Sequence, residues 1–452
     1  MNIRLWATAI VLLSFTVAGR LTHAAVTNEE AAHLKSDLTP LGAEKAGNKE
    51  GSIPAWDGGY RQVWPGYRSG QPRPDPFSAD KPVLQVTPDN AAQYADKLSD
   101  GMKALLQRFP DYRLNVYPTR RTAAAPQWLY ENTLSNATRA RMANNGASVE
   151  GAYGGIPFPI PKNGQEAMWN HLLAWKGESV SYAFNTYVTN GGKRALATGG
   201  RIDFQVPYYY RDGSLERFGQ MAGMLKIITT APPFKAGENT LVHDPIDQMN
   251  VGRKAWQYIV GQRRVRRAPN LAYDTPSPVT SGISFFDEGY LFNGALDRYD
   301  WKLLGKAEMF VPYNTNSFNS KPLDQVLGPN HVNPDYLRWE LHRVWVVEAT
   351  LAAGKRHALA KRRFYLDEDT WTALLADGWD AQGQLWHVNY LLPILVPELP
   401  AVTAVSYVVH DLVKGGYVAS SLLNEEKKHY EIMPRWPEDE FSPAVLSGEG
   451  IR

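Results

Sequence analysis

After Gly177 the sequence alternates polar and apolar residues with a period of two on both sides of "NGG", in "SVSYAFNTYVTNGGKRALATGGRIDFQVPYYY". This is the pattern of a β-hairpin closed by residues that accept positive φ. Similar turn signals recur as "NNG" at 144, "AAGK" at 352, "AQG" at 381 and "KGG" at 414. Their flanks read as strands: "RWELHRVWVVEATL", "KRRFYLDEDTWTALL", "QLWHVNYLLPIL" and "TAVSYVVHDLV". The spacing predicts an α+β, mainly β fold. Its body is one large curved antiparallel sheet or open barrel over about residues 178–422, with helical cover. A division near residue 180 is the alternative.

Helices are few. Thr27 and Glu30 form a capping box that starts a short helix near Asn28. Thr87, Pro88 and Pro110 bracket a predicted helix whose apolar stripe runs from Ala91 through Leu98, Met102 and Leu105 to Phe109. Asn163, Glu166 and the stop at Gly177 bracket another, with Met168, His171, Leu172 and Trp175 on one face. Between the first two lies a proline-rich stretch bearing Trp56, Tyr60, Trp64, Tyr67 and Phe77. A free linker is poorer in aromatics, so this stretch is expected to pack along the body.

At the start, Arg4 precedes an uncharged apolar run from Leu5 to Ala18, and "THAA" ends in small residues. The run is short for a membrane span and reads as a cleaved secretory signal, giving three predicted units. These are a signal peptide (1–25), an extended Pro/Gly-rich segment packing on the body (26–86) and a single large β domain (87–452). Cysteine is absent, which fits a periplasmic location, excludes disulfides and leaves no cysteine for lipidation. The chain carries 48 Lys and Arg against 46 Asp and Glu, and the first 25 residues hold Arg4 and Arg20 with no acid. The mature chain is therefore balanced, which argues against a nucleic-acid partner.

No phosphate loop, nucleophile elbow or dinucleotide fingerprint occurs, and the ten histidines are scattered without a metal-binding pair. His342 and His357 are expected to face each other across the "AAGK" hairpin as a satisfied cross-strand pair. Asp367, Glu368 and Asp369 stand at a strand end, where three consecutive acids more often build a turn than a catalytic pair. No catalytic residue, metal ligand or cofactor is assigned. One cluster calls for an explanation: "WQYIVGQRRVRR" sets Arg263, Arg264, Arg266 and Arg267 beyond Trp256 and Tyr258. Strand alternation puts Arg264 and Arg266 on one face and Arg263, Val265 and Arg267 on the other. One reading pairs most of them with carboxylates of adjacent strands, the "LDRYDWKLLG" strand first. The other brings one pair to the mouth of a cavity, where it meets an anionic head group or a partner protein. Trp256, Tyr258, Arg264 and Arg266 are the candidate ligand-binding residues.

Several long strings in one order carry a resemblance: "LTPLGAEKAGNKEGSIPAWDGG", "VYPTRR", "GGIPFPIPKNGQEAMWNHLL", "GQRRVRRAPNLAYDTP", "LDRYDWKLLGKAEMFVPYN" and "HRVWVVEATLAAGKRHALAKRRFYLDEDTW". Over nearly the whole mature chain the sequence resembles the bacterial exported family known as domain of unknown function 1329. That family is grouped with outer-membrane lipoprotein-sorting and periplasmic lipoprotein carrier-like proteins, whose half-open barrels receive acyl chains. Members are often encoded near resistance–nodulation–division exporters. The resemblance implies a periplasmic carrier or accessory for a lipid or other hydrophobic molecule, and supplies no catalytic residues.

Burying an acyl chain removes about 0.8 kcal/mol of apolar exposure per CH₂, and an aromatic-lined sheet shields such a chain without covalent chemistry. Binding a hydrophobic molecule or lipid is thus the first reading, with the predicted helices near 88–109 and 163–176 as candidate lids. A non-catalytic adaptor for a membrane exporter or an outer-membrane protein is the second. A hydrolase of envelope polymers is the third.

Overall fold

The structure is a computed structural model and describes residues 26–268, 271 and 273–449; the predicted signal segment lies outside them. Eighteen strands are described in chain order: β1 (Leu84–Val86), β2 (Leu114–Val116), β3 (Arg141–Ala143), β4 (Ser148–Glu150), β5 (Ser179–Asn190), β6 (Lys193–Gln205), β7 (Met221–Ala231), β8 (Thr240–Pro245) and β9 (Lys254–Ile259). They continue with β10 (Arg264–Arg267), β11 (Tyr299–Pro312), β12 (Trp339–Leu351), β13 (Lys361–Asp367), β14 (Ala373–Trp379), β15 (Leu385–Val396), β16 (Ala401–Asp411), β17 (Tyr417–Leu422) and β18 (Glu431–Ile432). Sixteen of them join one sheet in the order β1-β2-β12-β13-β14-β15-β16-β17-β5-β6-β7-β8-β9-β10, with β11 on β12 and β18 on β5. The path does not close on itself. Every pairing is antiparallel except one parallel contact, Trp339 with Val116, so the sheet is mixed. Register shifts interrupt ladders such as β5–β6, β6–β7, β13–β14 and β15–β16, and each bulge adds bend and twist. The glycine turns do what their sequences predict: "NGG", "AAGK", "AQG" and "KGG" each lie between consecutive paired strands.

The central strands are buried on both faces. On β13, Phe364 and Leu366 join one apolar cluster while Tyr365 joins another. On β16, Val405 and Val409 face the first cluster and Val402 and Val408 the second. Double burial explains why these strands read as nearly continuous apolar runs.

Six α-helices are described: α1 (Asn28–Ala32), α2 (Asp100–Arg108), α3 (Gln127–Arg139), α4 (Gly164–Leu172), α5 (Leu323–Val326) and α6 (Pro443–Glu449). Helices α3 and α4 cover the first cluster through Leu129, Tyr130, Met168 and Trp169, and α2 covers the second through Met102, Leu105 and Leu106. The capping box at Thr27 and Glu30 forms as predicted. The single helix predicted over 88–109 does not. A 3₁₀ segment, Ala91–Lys97, ends at extended Leu98, and Ser99 starts α2 afresh by accepting the Met102 N–H. The serine side chain competes with helix continuation, and a period-3.6 stripe does not register that competition. The second predicted helix ends at Leu172, earlier than its glycine stop suggests.

The segment before β1 packs on the body. Trp56 Nε1 donates to Ala123 O (2.8 Å), Tyr60 and Phe77 pack against the second apolar cluster, and Arg73 pairs with Glu398.

Candidate functional site

Asn163 caps α4 by accepting the Glu166 N–H (3.0 Å). The chain leaves the helix at Leu173 and runs to Gly177, whose φ of +94° turns it into β5. A Cβ there would press on Val180 and Leu399 at 3.1 and 3.3 Å, so glycine suits both the turn and the fit. This short run delivers Trp175 and Lys176 to a cavity of about 90 Å³ between α4, β5–β8 and the 290–293 segment. Its walls are mostly apolar and aromatic, among them Leu172, Tyr182, Phe204, Leu225 and Phe292.

Lys176 is the charge that stands out. Its Nζ lies 5.3 Å from the ring centres of both Phe204 and Tyr290. Burial pushes its ammonium down to about 8, against the pull of the Asp244 carboxylate. Asp244 is already held by Arg253, which also donates to Asn293 Oδ1 (2.9 Å). Among the described residues the Lys176 ammonium has no ion pair or hydrogen bond of its own, only the two aromatic faces. Gly223 allows this arrangement, since a Cβ there would come within 3.0 Å of the Phe204 ring.

The far wall is strained and pinned. Tyr290 and Leu291 both hold left-handed φ (+55° and +67°) without being glycine. Such conformations cost about 1–3 kcal/mol each and persist where surroundings enforce them. Arg362 Nη2 donates to Leu291 O (3.0 Å), and His171 Nε2 donates to Phe292 O (3.0 Å). His171 Nδ1 accepts the Ala373 N–H (3.0 Å), which fixes the neutral tautomer, and burial pushes the imidazole down to about 4. Trp175 separates the cavity from an open groove of about 760 Å³ that includes Trp128, Leu399 and Met433. Its ring packs edge-on against Trp128 and Tyr209, at 5.5 and 5.0 Å. Its Nε1 is buried without a partner among the described residues.

The residues singled out in sequence lie elsewhere. Strand β10 pairs only with β9 among the described residues, while the "LDRYDWKLLG" strand is β11 on β12. The expected pairing between them is therefore absent. Arg263 is not a strand residue at all: it takes left-handed φ (+49°) in the turn after Gly261. All four arginines are exposed, and none has an ion pair among the described residues. Arg264 lies opposite Ile259 and Arg266 opposite Gln257, whereas Arg267 lies opposite Trp256. Trp256 and Tyr258 face the other way, into a cluster with Phe441 and Leu446 of the C-terminal segment. The structure thus separates Trp256 and Tyr258 from Arg264 and Arg266, and none of the four lines the Lys176 cavity. Of the candidate lids, α4 borders the cavity and α2 lies on the second cluster.

Nor do His342 and His357 face each other. His342 stacks on Tyr313 at 3.9 Å and bonds Glu340, while His357 bonds Asp287 (3.1 Å). The three consecutive acids are buried and engaged. Asp367 accepts from Thr370 and Tyr313, Glu368 from Lys306 and the Glu44 N–H, and Asp369 takes Arg121 in a two-pronged pair (2.7 and 2.9 Å). Donor atoms of His342, Asp367 and Asp369 come within 4.8 Å of one another, but the Arg121 guanidinium fills the place a cation would take at Asp369. Burial holds the Asp367 carboxyl up at about 6.

Sequence reasoning missed Lys176 because nothing in "AWKGE" separates a cavity lysine from a solvated one.

The family described as "Protein of unknown function (DUF1329)" matches residues 85–447. The uncharacterized protein PA3922 of Pseudomonas aeruginosa is 38% identical over 453 residues, covering 98% of this chain and 98% of that protein. Among solved structures, a putative outer membrane lipoprotein-sorting protein domain from Vibrio parahaemolyticus gives a TM-score of 0.42 at 13% identity, covering 61% of this chain and 94% of that chain. A DUF1329 family protein from Desulfovibrio piger gives 0.41 at 14%, covering 60% and 92%.

Proposed function

The chain belongs to the family described as protein of unknown function (DUF1329), and from that starting point we propose that it binds an amphiphile with one apolar body and one anionic group at the α4 cavity. The observation that carries this reading is the Lys176 ammonium: half-buried, unpaired among the described residues and framed by two aromatic faces in an apolar wall. A charge left without a counter-ion in such a place is costly, and a ligand carboxylate or phosphate offsets that cost.

The cavity accommodates several water-sized groups at about 10–15 Å³ each, not a whole acyl chain. The apolar body therefore runs past Trp175 into the outer groove, shedding about 0.8 kcal/mol of exposed surface per CH₂. No covalent step is needed. The charged-then-apolar N-terminal run and the absence of cysteine support work in the periplasm.

Titration calorimetry on delipidated protein tests the proposal with hexadecanoate and the uncharged hexadecanol. Hexadecanoate is expected to bind more tightly, and Lys176→Met to weaken it about ten- to a hundredfold while leaving hexadecanol unchanged. Equal binding of the acid by Lys176→Met and by the parent protein would sink the proposal.

A further inference from the structure

The register places a set of hairpin turns along one rim of the sheet. Tyr417 pairs with Thr189, Asp411 with His387, Trp379 with Leu385 and Lys361 with both Trp379 and Thr350. The β5–β6, β12–β13, β14–β15 and β16–β17 turns therefore share one end of the strands. Gly199 pairs with Ala231 and Thr240 with Gln257, so the β7–β8 and β9–β10 turns lie at the same end.

This rim combines two features. Three large apolar side chains stand exposed on its turns: Phe234 (81%), Val260 (41%) and Val413 (49%). The same turns and their flanks expose Lys193, Arg263, Lys355, Arg356 and Lys414 against the exposed acids Glu238 and Asp300 among the described residues, with Lys355 paired to Asp297. At the opposite end, the β6–β7 connection exposes Arg211 and Arg217 with Asp212 and Glu216, an even mixture, while the β8–β9 turn exposes Met249 and Val251 without a basic cluster beside them.

The features concentrate at the β7–β8 and β9–β10 turns, which touch through the Tyr258 N–H donating to Asn239 O (2.9 Å). Phe234 projects from a fixed base, because its neighbour Lys235 donates to Ala197 O (2.9 Å) and Pro278 O (3.2 Å). On the neighbouring β9–β10 turn Arg263, and along β10 Arg264, Arg266 and Arg267, stand without carboxylates among the described residues, the last three opposite Ile259, Gln257 and Trp256 rather than acids. Without a counter-charge among the described residues, the four guanidinium groups repel one another.

We propose that this rim docks on an anionic phospholipid surface, with Phe234 and Val260 entering the interfacial layer and the arginines meeting the phosphates. Bare apolar tips beside basic side chains suit that surface, since an interface offers apolar depth and negative charge together. An acidic protein would need an apolar pocket matched to Phe234 and Val260, whereas a lipid interface supplies apolar depth and charge at every point.

Co-sedimentation of the full chain with vesicles of phosphatidylglycerol and phosphatidylcholine, against pure phosphatidylcholine, tests this. Binding is expected only to the anionic vesicles, and weaker in 0.5 M salt, an ionic strength that screens charges beyond roughly 4 Å. Arg263→Gln with Arg264→Gln should lower partitioning about thirtyfold. Phe234→Ser with Val260→Ser should lower it at unchanged net charge. All four positions are exposed, so circular dichroism and melting should be unaffected. Absence of binding to anionic vesicles overturns the proposal, as does binding that survives the Phe234 and Val260 changes, which is what plain charge attraction gives. Lys176→Met should bind vesicles normally, so failure of cavity binding and failure of docking are separately visible.

Discussion

At the scale of single residues, the cavity is governed by two side chains whose protonation the fold has altered in the same direction for one reason. His171 is buried and Lys176 half-buried, and loss of water pushes both toward neutrality. For Lys176 the consequence is on binding. An anionic ligand needs the ammonium, so its affinity should hold below pH 8 and fall as pH rises beyond it, up to tenfold per unit, while an uncharged ligand shows no trend. Titrations at pH 7, 8 and 9 check this. For His171 the consequence is on stability. Its folded value, about 4, lies below the unfolded value near 6.5. Its contribution is therefore complete above pH 6.5 and lost as pH falls toward 4, by up to roughly 3 kcal/mol. His171→Gln, which can both donate and accept, should flatten that slope in urea melts at pH 7 and 4.5. A variant as acid-sensitive as the parent would mean the imidazole is not the titrating group.

Among the elements, α2 shows a second device with the opposite sign. Asp377 of β14 reaches the start of the helix, where its Oδ2 accepts the Gly101 N–H (3.0 Å) and its Oδ1 the Ser99 hydroxyl (3.2 Å). The approach is close enough that a Cβ on Gly101 would stand 2.1 Å from Oδ1. Burial holds this carboxyl up at about 7. The folded value exceeds the unfolded one, so its stabilising share is complete below pH 4 and lost as pH rises through 7. Asp377→Asn should gain roughly 1–3 kcal/mol on the parent at pH 8 and nothing at pH 4, measured by chemical denaturation. The break before α2 also marks where sequence stops being informative. Hairpins were legible because "NGG" and "KGG" carry their own backbone geometry. The cap at Ser99 was masked by an apolar stripe that continues across it, and it depends on an aspartate 278 residues away. The arginine cluster was readable as charge but not as pairing, because the neighbours of β10 are set by the order of the whole sheet. The cavity was less legible still. Lys176 becomes distinctive only through Phe204 and Tyr290, which no local pattern joins to it.

For the molecule as a whole, the question is whether the segment before β1 is an appendage or part of one cooperative unit. The buried charges of the 367–369 turn answer it. Arg121, paired with Asp369, completes its bonds on Glu44 O (2.8 Å), Lys45 O (3.3 Å) and Pro54 O (3.3 Å). Arg343 donates to Ala46 O (3.0 Å), Glu368 accepts the Glu44 N–H (2.9 Å), and the buried Trp371 indole donates to Leu41 O (2.7 Å). Farther along, Arg73 is buried against Glu398 and Tyr430 O. Removing residues 26–80 would orphan these groups at about 1–3 kcal/mol each, a sum comparable with the roughly 5–15 kcal/mol that stabilises a domain. The segment is therefore expected to belong to the folding unit, in keeping with the aromatics it carries among its prolines. A chain of residues 26–452 should unfold in one transition, with circular dichroism and tryptophan fluorescence coinciding. A chain beginning at residue 81 should not reach a cooperatively folded state, with or without ligand. A truncated chain that melts cooperatively near the parent temperature would show instead that β1–β18 close their own charges and that the leader is only draped over them.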